Sequence, residues 1–282
     1  MSQLDDLLEE LRAVLRALDR VVVAFSGGVD SALLAWMAQD TLGRENVLAL
    51  TAVSASLAPE EARDCAALAA EWDLRWVEVF TDELDNPSYV ANDGDRCAHC
   101  KSALMAAAGP IAQGEKATVV LGVNLDDLPD HRPGQQAAAD LGAVFPLVEA
   151  GFTKKDVRDV SRLLGLRTWD KPAAPCLASR VPYGTAVTIG VLDSVAKAES
   201  ALRLMGFVHL RVRHHGEVAR VELGIDELSK GLERSAEIVT AVKAAGYRYV
   251  TLDLEGFRSG NLNQELNGVL LDVLPRLKPW DS

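Results

Sequence analysis

Apolar and polar positions alternate in two distinct patterns along the first part of the chain. Residues 3–18 carry Leu4, Leu7, Leu8, Leu11, Leu15 and Leu18 at helical spacing, which predicts an amphipathic helix. Val21, Val22, Val23, Ala24 and Phe25 then form an unbroken apolar run, the pattern of a strand buried on both faces. A segment with Leu33, Leu34 and Met37 on one face follows at once and predicts a helix. The alternation continues with a strand over 47–53, a helix over 59–72 entered at Pro59, a strand over 74–80, a helix over 97–108 and a strand over 117–123. A short strand over 143–147 and a helix over 153–164 with Thr153 as N-cap close this part. Such alternation predicts an α/β fold, a doubly wound parallel sheet with its ligands at the carboxyl ends of the strands.

The pattern changes after residues 167–185, a proline-rich stretch without periodicity. Long irregular loops inside compact domains usually carry function. Beyond it the expected order is a helix over 188–205, strands over 208–214 and 218–223 joined at His215-Gly216, a helix over 226–245 and a strand over 247–254. This order reads as a smaller C-terminal α+β domain. The expected division is therefore 1–185 and 186–282, consistent with a length that suits one large or two ordinary domains.

Composition narrows the class. A hydrophobic content of 49% with 25% charged residues is that of a soluble globular protein. No apolar run nears the ~20 residues of a membrane helix, and the acidic amphipathic opening does not resemble a signal peptide. The net charge of -12 argues against a broad electrostatic grip on nucleic acid, although a local basic patch stays open. Cys65, Cys97, Cys100 and Cys176 without a secretion signal point to reduced thiols or a metal site, and to the cytoplasm.

Between the first strand and its helix stands Ser26-Gly27-Gly28-Val29-Asp30-Ser31. Backbone amides and the Ser26 and Ser31 hydroxyls can converge there on a helix N-terminus, where unpaired N–H groups and the helix dipole favour an anion. The loop has neither the Gly-Lys-Ser/Thr of a Walker loop nor GxGxxG. It resembles the pyrophosphate (PP) loop of N-type ATP pyrophosphatases, the superfamily of GMP synthetase, NAD synthetase, argininosuccinate synthetase and tRNA thiolases. The resemblance implies an adenine nucleotide alpha hydrolase-like domain that cleaves ATP between the α and β phosphates and places AMP on a substrate. Asp30 would hold Mg²⁺, with Ser31 beside it. Gly122, Asp126 and Arg132 follow a strand end next to the loop and are expected to border the ATP site.

Cys176 lies among Pro172, Pro175 and Pro182, which stiffen the backbone. Arg180 adds positive charge nearby and is expected to favour the thiolate. The alternative is a buried, inert cysteine. Cys97-Ala98-His99-Cys100 has a metal-ligand spacing at a helix start, whereas Cys65 sits among alanines and is expected in the core. With Cys176 there are three thiols, which suit a 4Fe-4S cluster with one open position. A zinc knuckle using His99 or His131 and a redox pair remain open. Arg211 and Arg213 alternate on one strand and share a face, where paired guanidiniums suit a phosphate. The competing reading is a solvated strand face with Glu222 as partner. Glu199 and Glu222 are read either as a carboxylate metal site or as solvated residues, and His214-His215 as solvent-facing.

Taken together, Ser26–Ser31, Asp-x-Arg-Pro-Gly at 130–134, Cys176 ahead of Ser179-Arg180-x-Pro-Tyr-Gly-Thr, Arg211-Val212-Arg213 and the Tyr-Arg-Tyr-Val-Thr-Leu-Asp-Leu-x-Gly-Phe-Arg-Ser-Gly stretch at 247–260 resemble the LarE family over nearly the whole chain. LarE proteins are ATP-dependent sulfur transferases in synthesis of the nickel-pincer nucleotide cofactor of lactate racemase. The resemblance implies that carboxylates of pyridinium-3,5-biscarboxylic acid mononucleotide are adenylated and converted to thiocarboxylates, twice over. In some members the cysteine matching Cys176 gives up its own sulfur and becomes dehydroalanine. In three-cysteine members a 4Fe-4S cluster, here on Cys97, Cys100 and Cys176, passes sulfur instead. The resemblance also implies Arg211 and Arg213 at the mononucleotide phosphate and Lys101, Ser179 and Arg180 as further substrate contacts. It implies a homo-oligomer, a hexamer in form, with transient contacts to other pincer-cofactor biosynthesis proteins and no nucleic-acid or membrane partner. A tRNA thiolase or amide-forming synthetase on the same core is disfavoured by the acidic balance and the lack of an RNA-binding or glutaminase-like segment. Asp30, Ser31 and the cysteine-bearing loop count against a regulator that binds nucleotide without chemistry.

Overall fold

In the computed structural model, which describes residues 3–128 and 133–258, the chain opens with the amphipathic helix α1 (Gln3–Leu18). Its Leu8, Leu11 and Leu15 are buried and its Glu9, Glu10 and Arg16 are exposed. Strand β1 (Val21–Ala24), helix α2 (Val29–Leu42), strand β2 (Val47–Val53), helix α3 (Pro59–Glu71) and strand β3 (Trp76–Phe80) follow. Next come α4 (Pro87–Ala91), α5 (Arg96–Glu115), β4 (Thr118–Leu121), α6 (Pro133–Asp140), α7 (Pro146–Glu149) and α8 (Lys154–Leu163). The strands are parallel, in the order β3-β2-β1-β4.

The apolar run of β1 is explained by its two neighbours above and below the sheet. Val21 and Val23 join the core built from α1, α2 and α8, with Leu11, Leu33, Phe152 and Val157. Val22 faces the other way, into the core that includes Leu104, Met105 and Ala108 of α5. Because β1 pairs with β2 on one side and β4 on the other, the connections diverge at its carboxyl end. Ligand crevices in open α/β sheets form at such a switch point.

Two expectations in this half are corrected. The strand over 143–147 reduces to a single bridge between Val144 and Val120, because Pro146 starts α7 and proline has no N–H for a ladder. The helix expected to end at residue 108 runs on through Pro110 to Glu115. Pro110 and Ala106, whose carbonyl loses its partner to the proline ring, are both exposed, so water can satisfy that carbonyl.

The chain divides into one unit formed by Met1–Cys176 with Ala186–Ile189 and another formed by Leu177–Thr185 with Gly190–Ser282. The second contains α9 (Ile189–Leu204, all but its first residue), β5 (Leu210–His215), β6 (Val218–Leu223), α10 (Leu228–Glu233), α11 (Ser235–Ala244) and β7 (Tyr249–Leu252). β5 and β6 form an antiparallel hairpin, and β7 lies parallel to β6. Leu202, Phe207, Val212, Val221, Ile238 and Val242 make its core. The single helix expected over 226–245 is instead two. Arg234 leaves helical geometry at φ -102°, ψ 20°, and its guanidinium donates to the Met205 carbonyl at 2.6 Å. Among the described residues no helix is long and apolar enough to cross a membrane.

Gly122, just past β4, is where the sheet meets the start of α2. A Cβ there would lie 2.6 Å from the Ser31 amide nitrogen and 2.8 Å from the Asp30 carbonyl carbon. These are backbone atoms at the centre of the fold and have no room to give. Gly122→Ala is expected to destabilise the protein by about 2 kcal/mol, as overpacking does. Urea unfolding of the variant checks this.

Candidate active site

The turn from β1 into α2 is held open by its own hydroxyls. The Ser26 amide donates to Ser31 Oγ at 3.2 Å, the two hydroxyls lie 3.1 Å apart, and Ser31 Oγ donates to the Gly28 carbonyl at 3.2 Å. Gly27 takes φ +66°, a conformation that favours glycine, and so lets the chain reverse. Gly28 is the N-cap of α2 and no side chain caps that helix. The amides of the first turn therefore face outward as a local positive end. Ser26 is exposed, and Gly27 and Ser31 are buried.

Asp30 is not a lone carboxylate. Lys154 Nζ lies 2.5 Å from one oxygen and the buried Asn124 amide donates to the other at 2.9 Å. Lys154 is the first residue of α8, whose N-cap Thr153 forms a capping box with Asp156. The Lys154 amide donates to Asp126 at 2.8 Å, so Asp126 fastens α8 to the loop after β4. Two helix N-termini, those of α2 and α8, thus meet across Asp30. Sequence reading missed Lys154 and Asn124. A signal for Lys154 existed, since lysine in a first helical turn opposes the dipole. Arg132, with Asp130 and His131, lies outside the described residues, as do Ser259 and Gly260.

A second cation adjoins the same turn. Lys171 Nζ donates to the Gly27 carbonyl at 3.1 Å and pairs with Asp64 at 2.5 Å and Glu61 at 2.8 Å. Cys65, one residue after Asp64, is buried beneath Gly27, and burial pushes its thiol up to about 11. It is a core cysteine, as expected.

The other three cysteines belong to the first unit. Cys97 is exposed and Cys100 and Cys176 are partly exposed. The Cys100 thiol faces the buried Glu83 carboxylate at 3.8 Å. Its pKa is pushed up to about 12, first by burial and then by Cys176, with Lys101 opposing and Glu83 and Cys97 adding to the rise. Cys100 is therefore an electrostatic neighbour of both other sulfurs. Among the described residues, however, no group of three or more His, Cys, Asp or Glu side chains is gathered as a metal site. Gly134 of the Asp-x-Arg-Pro-Gly motif packs on this turn, since a Cβ would meet the Cys97 carbonyl at 2.7 Å and the Lys101 side chain at 2.9 Å. Tyr89, 1% exposed, feels Cys176 and Cys100, and burial raises its pKa.

In the second unit Arg180, Arg211 and Arg213 are buried rather than solvated. Arg180 forms a two-point pair with Glu199 at 2.9 and 3.0 Å and also donates to the Ser179 hydroxyl. Its guanidinium is thus engaged by Glu199. Glu199 further accepts from Arg203 and from the Val212 amide. Arg213 grips Glu222 at 3.0 and 3.1 Å and the Ser179 carbonyl at 2.8 Å, and Arg220 also reaches Glu222. Glu199 and Glu222 are fully buried acceptors for guanidiniums, so they are neither solvated nor a metal pair. Arg211 donates to the Leu210 carbonyl and stacks on Phe257 at 4.9 Å. Burial, then the charge of Arg180, lowers its pKa to about 10 despite Glu199. The four guanidiniums of Arg180, Arg203, Arg213 and Arg220 share the three carboxylates of Glu199, Glu222 and Asp253, and Arg211 lies beside them. That excess of positive charge favours an anion. His214 is not solvent-facing but half-buried against Tyr247, with Nδ1 3.3 Å from the phenol oxygen.

A family model described as NAD synthase matches residues 2–95. A protein of Synechocystis sp., described as uncharacterized, is 46% identical over 266 residues that cover 93% of this chain and 99% of that protein. The pyridinium-3,5-bisthiocarboxylic acid mononucleotide synthase of Lactiplantibacillus plantarum is 39% identical over 257 residues, 91% of this chain and 93% of that enzyme. An uncharacterized protein of Methanocaldococcus jannaschii is 26% identical over 245 residues, 85% of this chain and 91% of that protein.

The buried Glu199 network generates a pH prediction. Burial opposes its ionisation, but Arg180 and then Arg203 outweigh burial and hold its pKa below the ordinary 4.5. A carboxyl depressed on folding stabilises the protein above its unfolded value and loses that effect as pH falls through the folded one. Glu199→Gln is expected to cost about 3–5 kcal/mol at pH 7, the cost of breaking a buried pair. The difference from the parent shrinks as pH falls below about 4.5. Urea midpoints of both proteins across pH 3–7 test it.

Proposed function

The chain belongs to the LarE family, and from that premise we propose that it is an ATP-dependent sulfur transferase acting on pyridinium-3,5-biscarboxylic acid mononucleotide. The observation that carries the reading is the uncapped N-terminus of α2 with Lys154 poised at Asp30. Amides and an ammonium converging on one turn suit the pyrophosphate that leaves when a carboxylate oxygen attacks the α-phosphorus. Asp30 would serve the magnesium that accompanies the nucleotide, leaving Lys154 to a phosphate oxygen. Ser26, Gly27, Gly28 and Ser31 line the same turn. A sulfur nucleophile then attacks the acyl carbon of the adenylate, and AMP departs with the carboxylate oxygen. Repetition at the second carboxylate gives the bisthiocarboxylate, the compound for which the L. plantarum relative is named.

The arginine cluster of the second unit suits the mononucleotide phosphate. Arg211, whose guanidinium stacks on Phe257, is the member we assign to first contact, with Arg213, Ser179 and Arg180 holding the frame.

Three thiols, with Cys100 feeling both of the others, suit a 4Fe-4S cluster in kind, two of them at CxxC spacing on the first turn of α5. Cys97, Cys100 and Cys176 would hold it, and it would supply sulfide at an open iron. The partly exposed Cys176 supports a second route, in which it forms a thioester with the acyl group and β-elimination leaves dehydroalanine.

Pure protein with Mg-ATP and the dicarboxylate mononucleotide is expected to release AMP and pyrophosphate in equal amounts and to exchange oxygen for sulfur in the product. Absence of pyrophosphate release would overturn the reading in favour of a nucleotide-binding regulator. Lys154→Met is expected to lower kcat/KM for pyrophosphate release by about 100-fold, the scale of losing one charge-stabilising donor. Anaerobic iron and sulfide assays with intact-mass analysis separate the sulfur routes. An iron-free protein that turns over once and loses H₂S from Cys176 excludes the cluster.

A further inference from the structure

Lys171 carries an ammonium, and an ammonium has three N–H donors. Three acceptors surround it: Asp64 at 2.5 Å, Glu61 at 2.8 Å and the Gly27 carbonyl at 3.1 Å. Its side chain is 16% exposed. Burial opposes the charge, but Asp64 and Glu61 outweigh it and raise the pKa, so Lys171 stays protonated at neutral pH. With its donors engaged, Lys171 has none to offer a nucleotide. Two carboxylates would satisfy a buried ammonium without help from the loop, so the choice of the Gly27 carbonyl as third acceptor calls for a reason.

The reason lies in the peptide plane. In a trans peptide the carbonyl and the following N–H point in opposite directions. Holding the Gly27 oxygen toward Lys171 therefore turns the Gly28 amide away from it, toward the open side of the turn. Gly27 at φ +66° and Gly28 have no side chains to set that plane themselves. The lysine also sits five residues before Cys176 in the chain, with Pro172 and Pro175 stiffening the interval. Its own backbone is pinned: Arg158 donates to the Trp169 carbonyl at 2.8 Å and to the Lys171 carbonyl at 3.2 Å, and Arg167 pairs with Asp64 at 2.7 Å. One ammonium thus fastens the segment leading to Cys176 onto the turn that meets phosphate.

We infer that Lys171 is a positioning residue that sets the Gly27–Gly28 peptide for an anion and couples nucleotide occupancy to the segment carrying Cys176. This rests on the reading that the turn binds ATP.

The test compares the full-length parent with Lys171→Met, using α,β-methylene-ATP and Mg²⁺ as probe. Calorimetry measures affinity, and hydrogen exchange follows peptides covering residues 26–31 and 169–178. In the parent the probe is expected to slow exchange in both segments. In Lys171→Met the dissociation constant rises about tenfold, the scale of one charged hydrogen bond. At saturating probe, protection of 26–31 persists and that of 169–178 is lost. A lysine that is merely structural would lower the melting temperature while leaving affinity within twofold and both protections in place, and that result overturns the inference. If the parent itself does not bind the probe, the ATP reading falls and takes this inference with it. Should Lys171→Met not fold, Glu61→Gln loosens the ammonium without removing it, and the same two readouts decide.

Discussion

The first turn of α2 begins without a capping side chain, and the rest of the first unit is arranged around that omission. An uncapped helix start is unfavourable alone, because its amides lack acceptors. The structure accepts this cost and uses the surroundings to hold the turn in place. Gly122 allows β4 to approach the Asp30–Ser31 backbone, Ser31 closes the turn on Ser26 and Gly28, and Thr51 accepts the Trp76 indole while donating to the Phe25 carbonyl. Rigid walls around open donors are what an anion-binding site requires, since donors that need not reorganise lose nothing when charge arrives.

Charge in this protein is organised locally against its overall sign. The chain as a whole carries -12, yet each of its polar clusters centres on buried or half-buried cations. Lys154 sits at Asp30, Lys171 between Asp64 and Glu61, and the second unit gathers arginines around Glu199 and Glu222. In the last case the carboxylates are spent as scaffolding. Each takes a two-point grip that fixes a guanidinium plane, and the charge left over is positive. An acidic overall balance with locally gathered cations disfavours broad contact with nucleic acid while leaving places where a small anion is favoured.

The cysteines divide by burial in the same physical terms. Cys65 and Cys100 have thiols pushed up to about 11 and about 12, so at neutral pH both are protonated and poor nucleophiles. Cys97 and Cys176 are the more open sulfurs. Cys100 can act as a thiolate only where a bound cation compensates for loss of its proton. The proposed cluster route uses Cys100 and the proposed sacrificial route does not, so that residue distinguishes them more sharply than Cys176, which both routes use.

What could be read from the chain alone was what neighbouring residues decide. The β1 run, the glycine turn and the Thr153 cap are local signals, and each stands where periodicity and turn chemistry put it. Element ends were harder: Pro146 turned an expected strand into a helix, and Arg234 divided an expected helix through a carbonyl 29 residues away. The charged residues were least legible, because a carboxylate's partner is a matter of tertiary contact. Glu199 looks like any helix glutamate until Arg180, 19 positions earlier, folds onto it, and Lys171 lies 144 positions from the glycine it holds. Lys154 is the instructive intermediate. Its partner is distant, but its position at a helix N-terminus runs against the dipole and so marks a residue retained for something other than helix stability. A charge placed where its own element disfavours it is a sequence-level pointer to a site, even when the partner cannot be named.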